Sequence, residues 1–548
     1  MKAKVVSNLF DNALKSMGVE DKYDFAFETP KNPEHGDLST NIAMRLAKAL
    51  KKKPIEIAQQ FIDLIKGQSE LIEDMSIAGP GFINIKLSHK VYANAIEELY
   101  KKGESICRLD FGNNTKVNVE YVSVNPTGLL HLGHGRNACL GDTIANLYQW
   151  TGHQVTREYY FNNAGNQMNN LAKSIYARYM QRIEGEAFPF PEDGYHGEYI
   201  KEIAEEVHQQ HGNALTENTP DNLAIMRKAG ELWSFNKIKA TLARMSIQQD
   251  VFYNEDSLYN EGKIKALLEL FAEKNLSYEK EGATWLKFSE MGLSDDRVIV
   301  KSTGEPTYRL PDIAYHKEKF ERGFDLCIDI FGADHIATIP DVMAAVKYLG
   351  YNSDNVCPII HQFVTLMENG EQVKMSKRTG KSYTLDDLLD EVGADVVRFF
   401  LLMRSFNTHL EFDLDLAREQ SDKNPVFYLQ YANARISSVI DNALQAGATI
   451  NGANINFDLL THPSEVSLIN EAMNVDRIIK SATQKCEPQI LADYLRALAG
   501  DFHSFYHDCR IIGVDADLQA ARLALAITIK NIIKNGLSIL GISAPDRM

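Results

Sequence analysis

Apolar positions recur with different periods along this chain, and the period changes with place. Ser7–Met17 and Asn41–Leu50 carry the three-and-four spacing of amphipathic helices. Gly79-Pro-Gly-Phe-Ile-Asn-Ile-Lys-Leu87 opens with breakers and then alternates, which predicts a strand. Lys101–Thr115, with Gly103, Gly112 and two asparagines, predicts a linker. Val117–Val124 is rich in β-branched residues and predicts a strand ended by the turn Asn125-Pro-Thr-Gly128. A helix is expected from about Gly133 to Trp150, stopped by Gly152, and then a strand over Gln154–Phe161. Strand, helix, strand implies a parallel βαβ unit.

Residues 165–300 carry long helical patterns, among them the stripe Leu232, Phe235, Ile238, Leu242, Met245. Strand signals return at Arg297–Lys301, Leu326–Phe331 and Pro358–Leu366, which predicts one parallel sheet split by a helical insertion. Beyond about Phe406 strand signals vanish. Stripes at Leu429, Ala432, Ile436, Val439 and at Leu525, Ile529, Ile532, Leu540 predict an all-α bundle, closed by Gly541 and Pro545. The expected fold class is α/β. It combines an N-terminal α+β domain (1–110), a Rossmann-type parallel-sheet domain (111–405, insertion at about 165–295) and a C-terminal helical bundle (406–548).

Composition narrows the class without choosing a function. A chain of 548 residues suits three to four domains at ~150 residues each. No continuous apolar run reaches the ~18 residues of a membrane span. The N-terminus lacks an apolar core and cleavage site, so it reads as a first helix rather than a signal peptide; an amphipathic transit peptide is harder to exclude. The six cysteines never stand at CxxC spacing, which argues against a structural zinc site or a disulfide framework and fits the cytoplasm. A net charge of −16 counts against nucleic-acid binding over the whole surface, but local patches decide that contact.

Two motifs carry chemistry. His131-Leu-Gly-His134 follows a strand and opens a helix. Gly133 admits a close ligand, the helix N-terminus favours phosphate, and both histidines can donate to phosphoryl oxygens. Alone, the motif is equally a surface helix start with two incidental histidines. Lys374-Met-Ser-Lys-Arg-Thr-Gly380 places three cations in a glycine-ended loop that can close over a triphosphate; alone, it is equally a solvated basic loop.

Together the two motifs resemble the signature pair of class I aminoacyl-tRNA synthetases. Glu120-Tyr-Val-Ser-Val-Asn-Pro-Thr-Gly-Leu-Leu-His-Leu-Gly-His-Gly-Arg136 resembles the arginyl-tRNA synthetase family, in its bacterial type. So do Glu34-His-Gly-Asp-Leu-Ser-Thr-Asn41, Gly332-Ala-Asp-His335, Asn424-Pro-Val-Phe-Tyr-Leu-Gln-Tyr-Ala432 and Ser543-Ala-Pro-Asp-Arg-Met548. The resemblance implies arginine activation with ATP and magnesium, then transfer to the 2′-hydroxyl of the terminal adenosine of arginine tRNA. It implies that tRNA must be present for activation, and a monomer without a membrane partner. His131, His134, Lys374 and Lys377 would stabilise phosphoryl and pyrophosphate charge. Gly133, Gly332, Asp334, His335 and Ser376 would hold ATP. Glu120, Ser123, Asn125, His134, Tyr308 and Asp312 would hold arginine. Tyr428, Tyr431, Tyr506 and Met548 would meet the anticodon loop, and Phe82 and Asn84 the tRNA elbow. The bland alternative for each tyrosine is the bundle core. Asn162-Asn163-Ala-Gly165 departs from the family's Asn-Asp-Ala-Gly and removes a carboxylate. A small-molecule nucleotidylyltransferase, another class I synthetase and a non-catalytic tRNA-binding paralogue remain the alternatives.

Overall fold

Five parallel strands form the centre of the chain. Their order is Val356–His361, Leu326–Gly332, Lys116–Glu120, Gln154–Phe161, Val251–Asn254. The computed structural model describes residues 2–19, 25–30, 32–163, 165–333, 336–373, 383–448 and 455–548. The chain enters the sheet in the middle, at Lys116–Glu120, and winds outward to Val251–Asn254. It then crosses back and continues on the other side. The winding direction therefore reverses between Lys116–Glu120 and Leu326–Gly332, and the carboxyl ends there open a crevice, the usual ligand position of such sheets.

Both faces of the sheet are covered, one by apolar packing and the other around buried, paired carboxylates. Val117, Val119, Cys327, Ile328 and Ile359 are buried. Helix Leu132–Trp150 lies across one face so closely that a Cβ on Gly141 would strike the Tyr121 ring. Helix Arg309–Glu321 brings Tyr315, His316 and Lys319 into the interior beside the strand ends.

Four expectations need correction. Arg297–Val300 is a strand, but it pairs antiparallel in a separate sheet with Ser277–Lys280 and Ala283–Leu286. Alternation alone does not say which sheet a strand joins. Val251–Asn254 fills the fifth place of the parallel sheet inside the stretch expected to be helical; at four residues it is too short to leave a pattern. Pro358–Leu366 divides into two strands, Val356–His361 and Val364–Glu368, and the second pairs with Leu410–Asp413, so strands continue past Phe406. In helix Pro220–Arg244, Leu232 is 59% exposed and Trp233 takes the buried place.

Toward the N-terminus, strands Leu38–Thr40, Phe82–Leu87 and Ile72–Ala78 form an antiparallel sheet. Its core is aromatic: Phe10 stacks on Phe61 and meets Phe27 edge-on. Helix His89–Lys102 then docks on the C-terminal helices through Lys102–Asp476 at 2.9 Å and Tyr100 against Phe457. In the bundle, helix Ala516–Leu540 is the one described helix long and apolar enough to cross a membrane by length and composition. Most of it is buried as the bundle's central core.

Arg398 joins three of these parts. Its buried guanidinium pairs with Asp142 at 2.6 Å and donates to the Leu540 and Met245 carbonyls at 3.0 and 2.8 Å. Gly541 takes φ +71° at the helix end, and a Cβ there would run into that guanidinium. Removing one partner of a buried pair leaves the other charge uncompensated. Arg398→Met is therefore expected to lower stability by about 3–5 kcal/mol in urea unfolding. A loss under about 1 kcal/mol would show that the pair and its carbonyl contacts are expendable.

Candidate active site

The crevice begins where Lys116–Glu120 leaves the sheet. Val122 and Ser123 take φ +68° and +45°, left-handed backbone that a β-branched valine adopts only under constraint. The constraint is visible. The Val122 N–H donates to Asn137 Oδ1 at 2.6 Å, and the Tyr159 hydroxyl donates to the Val124 carbonyl at 2.7 Å. Ser123 Oγ accepts from the Tyr160 N–H and donates to Glu120 Oε1 at 3.0 Å. Asn125 Oδ1 accepts from the Asn162 N–H at 3.0 Å, and its amide donates to Gln167. Expected site residues (Glu120, Ser123, Asn125) and newly seen ones (Asn137, Tyr160, Asn162) thus hold one strained turn together.

His131 and His134 cap helix Leu132–Trp150. His131 Nδ1 accepts from the Gly133 N–H at 3.1 Å, and His134 Nδ1 accepts from the His131 N–H at 3.3 Å. The rings stack with centroids 3.5 Å apart. An Nδ1 that accepts leaves the ring proton on Nε2. Burial, with His131 and His361 beside it, lowers the His134 pKa to about 3. His134 is therefore a neutral N–H donor at a helix N-terminus rather than a cation.

Beneath this turn lies a buried charge network. Lys319, 0% exposed, pairs with Glu120 at 2.5 Å and Asp329 at 2.6 Å. His316 meets the other oxygen of Asp329 at 3.0 Å. Arg322 grips Glu158 with two bonds of 2.7 and 2.6 Å, and Tyr315 adds a third donor at 2.6 Å. Burial pushes Asp329 and Glu158 upward, but these cations outweigh it and hold both carboxyls below their usual range.

Two other acids are treated differently. Glu255 accepts from the Tyr160 hydroxyl at 2.7 Å and the Asn162 amide at 2.8 Å, and burial still raises its pKa. Asp312, in the first turn of Arg309–Glu321, is half-buried, and its pKa rises to about 7 through burial and the nearby Glu120 and Glu255. Among the described residues, neither has a cation in an ion pair.

Tyr308 stands at the rim, 77% exposed, one helical turn before Asp312. Gly332 ends its strand beside His361. Asp334, His335, Lys374, Ser376 and Lys377 lie outside the described residues. On the bundle, Tyr431 is 48% exposed, and Arg435 lies over the Tyr506 and Tyr431 rings at 4.4 and 5.6 Å. Tyr428 is half-buried against His503, and Met548 is exposed. Asn433 holds the tail by the Ala544 and Pro545 carbonyls. At the other end, Phe82 is exposed, but Asn84 is buried between its strand partners Ser39 and Ser76, which leaves little of it to meet a ligand.

Sequence reading missed Glu255, Asn137, Tyr160, Asn162 and Lys319. Glu255 directly follows a sheet strand, and that position was the available signal once the strand was known. Asn163 donates to Glu231 at 3.3 Å, a contact that an aspartate could not make.

Three family models match the chain in order: "Arginyl tRNA synthetase N terminal domain" over residues 4–87, "tRNA synthetases class I (R), catalytic domain" over 96–400 and "DALR anticodon binding domain" over 429–548. The arginine–tRNA ligase of Salinibacter ruber is 47% identical over 548 aligned residues, 97% of each chain. That of Desulfotalea psychrophila is 45% identical, covering 96% of this chain and 95% of its own. The fold matches the arginyl-tRNA synthetase of Thermus thermophilus with a TM-score of 0.75 over the full length of both, at 22% identity. With relatives this similar over nearly the whole length and a catalytic-domain match over more than half of the residues, the chain belongs to the arginyl-tRNA synthetase family.

Proposed function

We propose the following division of labour for arginine–tRNA ligation in this crevice. The observation that carries it is a pair of acids, half-buried Asp312 and buried Glu255, with no cation in an ion pair among the described residues. A guanidinium is planar, permanently charged and weakly hydrated, so such acids favour it. Asp312 and the Tyr308 hydroxyl read the arginine side chain, with Glu255 adding negative potential. Glu120, Ser123 and Asn125 face the amino acid's polar groups from the strained turn.

The arginine carboxylate attacks the α-phosphorus of ATP, and pyrophosphate leaves. His131 and His134 donate Nε2–H to phosphoryl oxygens at the helix N-terminus, where negative charge is favoured. Lys374 and Lys377 neutralise the departing pyrophosphate, with Ser376 on the same loop. Gly133, Gly332, Asp334 and His335 hold the nucleotide. Magnesium enters with the ATP phosphates; among the described residues no group of three His, Cys, Asp or Glu side chains is placed to hold it. The 2′-hydroxyl of the tRNA's terminal adenosine then attacks the activated carbonyl, and AMP leaves. Tyr428, Tyr431, Tyr506 and Met548 meet unstacked anticodon bases, for which exposed rings beside an arginine are suited. Phe82 touches the tRNA elbow, with Asn84 as a buried support. The domain divisions near 110 and 405 follow this division of labour, and the enzyme acts as a cytoplasmic monomer.

Three outcomes test the assignment. Asp312 must be ionised to pair with the guanidinium, so binding releases its proton below pH 7. Arginine affinity measured calorimetrically should be nearly full at pH 8 and fall by about tenfold between pH 8 and pH 6. Asp312→Asn should abolish that slope and weaken binding, whereas a flat wild-type profile would remove Asp312 from the pocket. The sign for stability is opposite. Between the ordinary aspartate range and pH 7 the folded protein keeps a proton that the unfolded chain has lost, so ligand-free stability falls as pH rises across that window. His134→Ala should slow arginine-dependent pyrophosphate exchange, with tRNA present, by about 10²–10³-fold. Lys377→Ala should do likewise with arginine affinity nearly unchanged, since its charge partner develops in the transition state. A large loss of arginine binding in Lys377→Ala would refute that role.

A further inference from the structure

One side chain joins the walls of the crevice at the place where the sheet itself no longer does. The ladder between strands Lys116–Glu120 and Leu326–Gly332 ends at the pair Glu120–Asp329. Beyond that pair the first chain turns through Val122 and Ser123 in left-handed backbone, while the second runs on through Ile330 to Gly332. Asn137 spans the opening from helix Leu132–Trp150. Its Oδ1 accepts from the Val122 N–H at 2.6 Å. Its Nδ2 donates to the Ile330 carbonyl at 2.8 Å and meets His361 Nε2 at 3.5 Å. His361 is the register partner of Gly332, and with Nε2 accepting it donates Nδ1–H to the Gln362 carbonyl at 3.3 Å.

Asn137 is buried, and its oxygen and both amide hydrogens are engaged. The bridge needs an acceptor and two donors on one short fork, which a carboxylamide supplies; aspartate lacks the donors and alanine lacks both. His134 stands three residues earlier on the same helix face. A single amide thus sets the strained turn, the strand that ends at Gly332 and the histidine cap in one spatial relation. The helix is docked independently of it. The neighbouring Arg136 donates to the Gln362, Thr408 and Ser405 carbonyls at 2.8, 2.9 and 2.9 Å.

We propose that Asn137 is a positioning residue for arginine activation, fixing the separation between the turn that holds arginine and the strand end and helix that hold ATP. This role rests on the placement of arginine and ATP proposed above. Asn137 acts through Val122, Ile330 and His361. Attack by the arginine carboxylate on the α-phosphorus needs the two reacting atoms close and in line, and a misplacement of about 1 Å costs about 10²-fold. Once the arginyl-adenylate has formed, arginine and the nucleotide are one molecule, and the separation of their sites no longer has to be held. The amide therefore serves the first step and not the transfer to tRNA.

The test compares the two steps in the full-length enzyme. In Asn137→Ala, kcat of arginine-dependent pyrophosphate exchange with tRNA present should fall by about 10²-fold. KM for arginine and for ATP should stay within about threefold of wild type, since both sites survive and only their relation is lost. Transfer to tRNA from arginyl-adenylate supplied preformed should also stay within about threefold. Asn137→Asp keeps the acceptor for the Val122 N–H and loses the donors, so it should show the same split; it carries the comparison if the alanine variant does not fold. Equal slowing of both steps would show a merely structural residue, and unchanged exchange in both variants would remove the role altogether. Asp312→Asn, run alongside, separates the two claims. If it weakens arginine binding while the Asn137 variants are silent, only the positioning role falls; if it leaves arginine binding unchanged, the placement of arginine falls instead.

Discussion

One buried ammonium organises the centre of this molecule. Lys319 lies between Glu120 and Asp329, at the ends of the two strands where the winding of the sheet reverses. Without it, two carboxylates would face each other in the interior, which no fold tolerates without protonating one or admitting water. Lys319 sits on helix Arg309–Glu321, and the same helix carries Tyr308 and Asp312 at its start. The interaction that closes the sheet therefore also fixes where the unpaired acid points. Structure and recognition share one helix.

The consequence is a division among acids of one type. Glu120, Glu158 and Asp329 have cations within 2.7 Å, which hold Glu158 and Asp329 below the usual carboxylate range. Asp312 and Glu255 have hydroxyl, amide or buried surroundings instead, and their ionised forms are disfavoured until a cation arrives. Above them, the Nδ1 atoms of both histidines are occupied by the helix cap, and His134 is kept neutral. The crevice thus offers negative potential at its floor and N–H donors at its wall. These are complements to a guanidinium and to phosphate within one ligand-sized opening.

Much of this was legible in the sequence, because the responsible patterns are local. Gln154–Phe161 forms the strand expected there. Gly541 and the Leu525, Ile529, Ile532 stripe foretold a buried final helix and its left-handed end. The histidine motif directly after a strand located the cap. What escaped was non-local. Lys319 reads as a surface lysine in a run of charged residues, and its burial follows from Asp329 on the next strand and from Glu120, far away in the chain. Glu255 follows a strand of four residues, too short to show a period. The resemblance implied a tRNA contact for Asn84, but it lies buried between strand partners on both sides.

The central claim is that unpaired acids, rather than shape, select the substrate. Citrulline tests it most directly, because it keeps the arginine outline but replaces the guanidinium with a neutral urea. The measurement is pyrophosphate exchange with tRNA present, comparing kcat/KM for the two amino acids. Leaving a buried carboxylate without its partner should cost about 10⁴-fold, as it does for pockets built around a polar group. Discrimination of only about tenfold would mean that packing chooses the ligand, and would contradict the account.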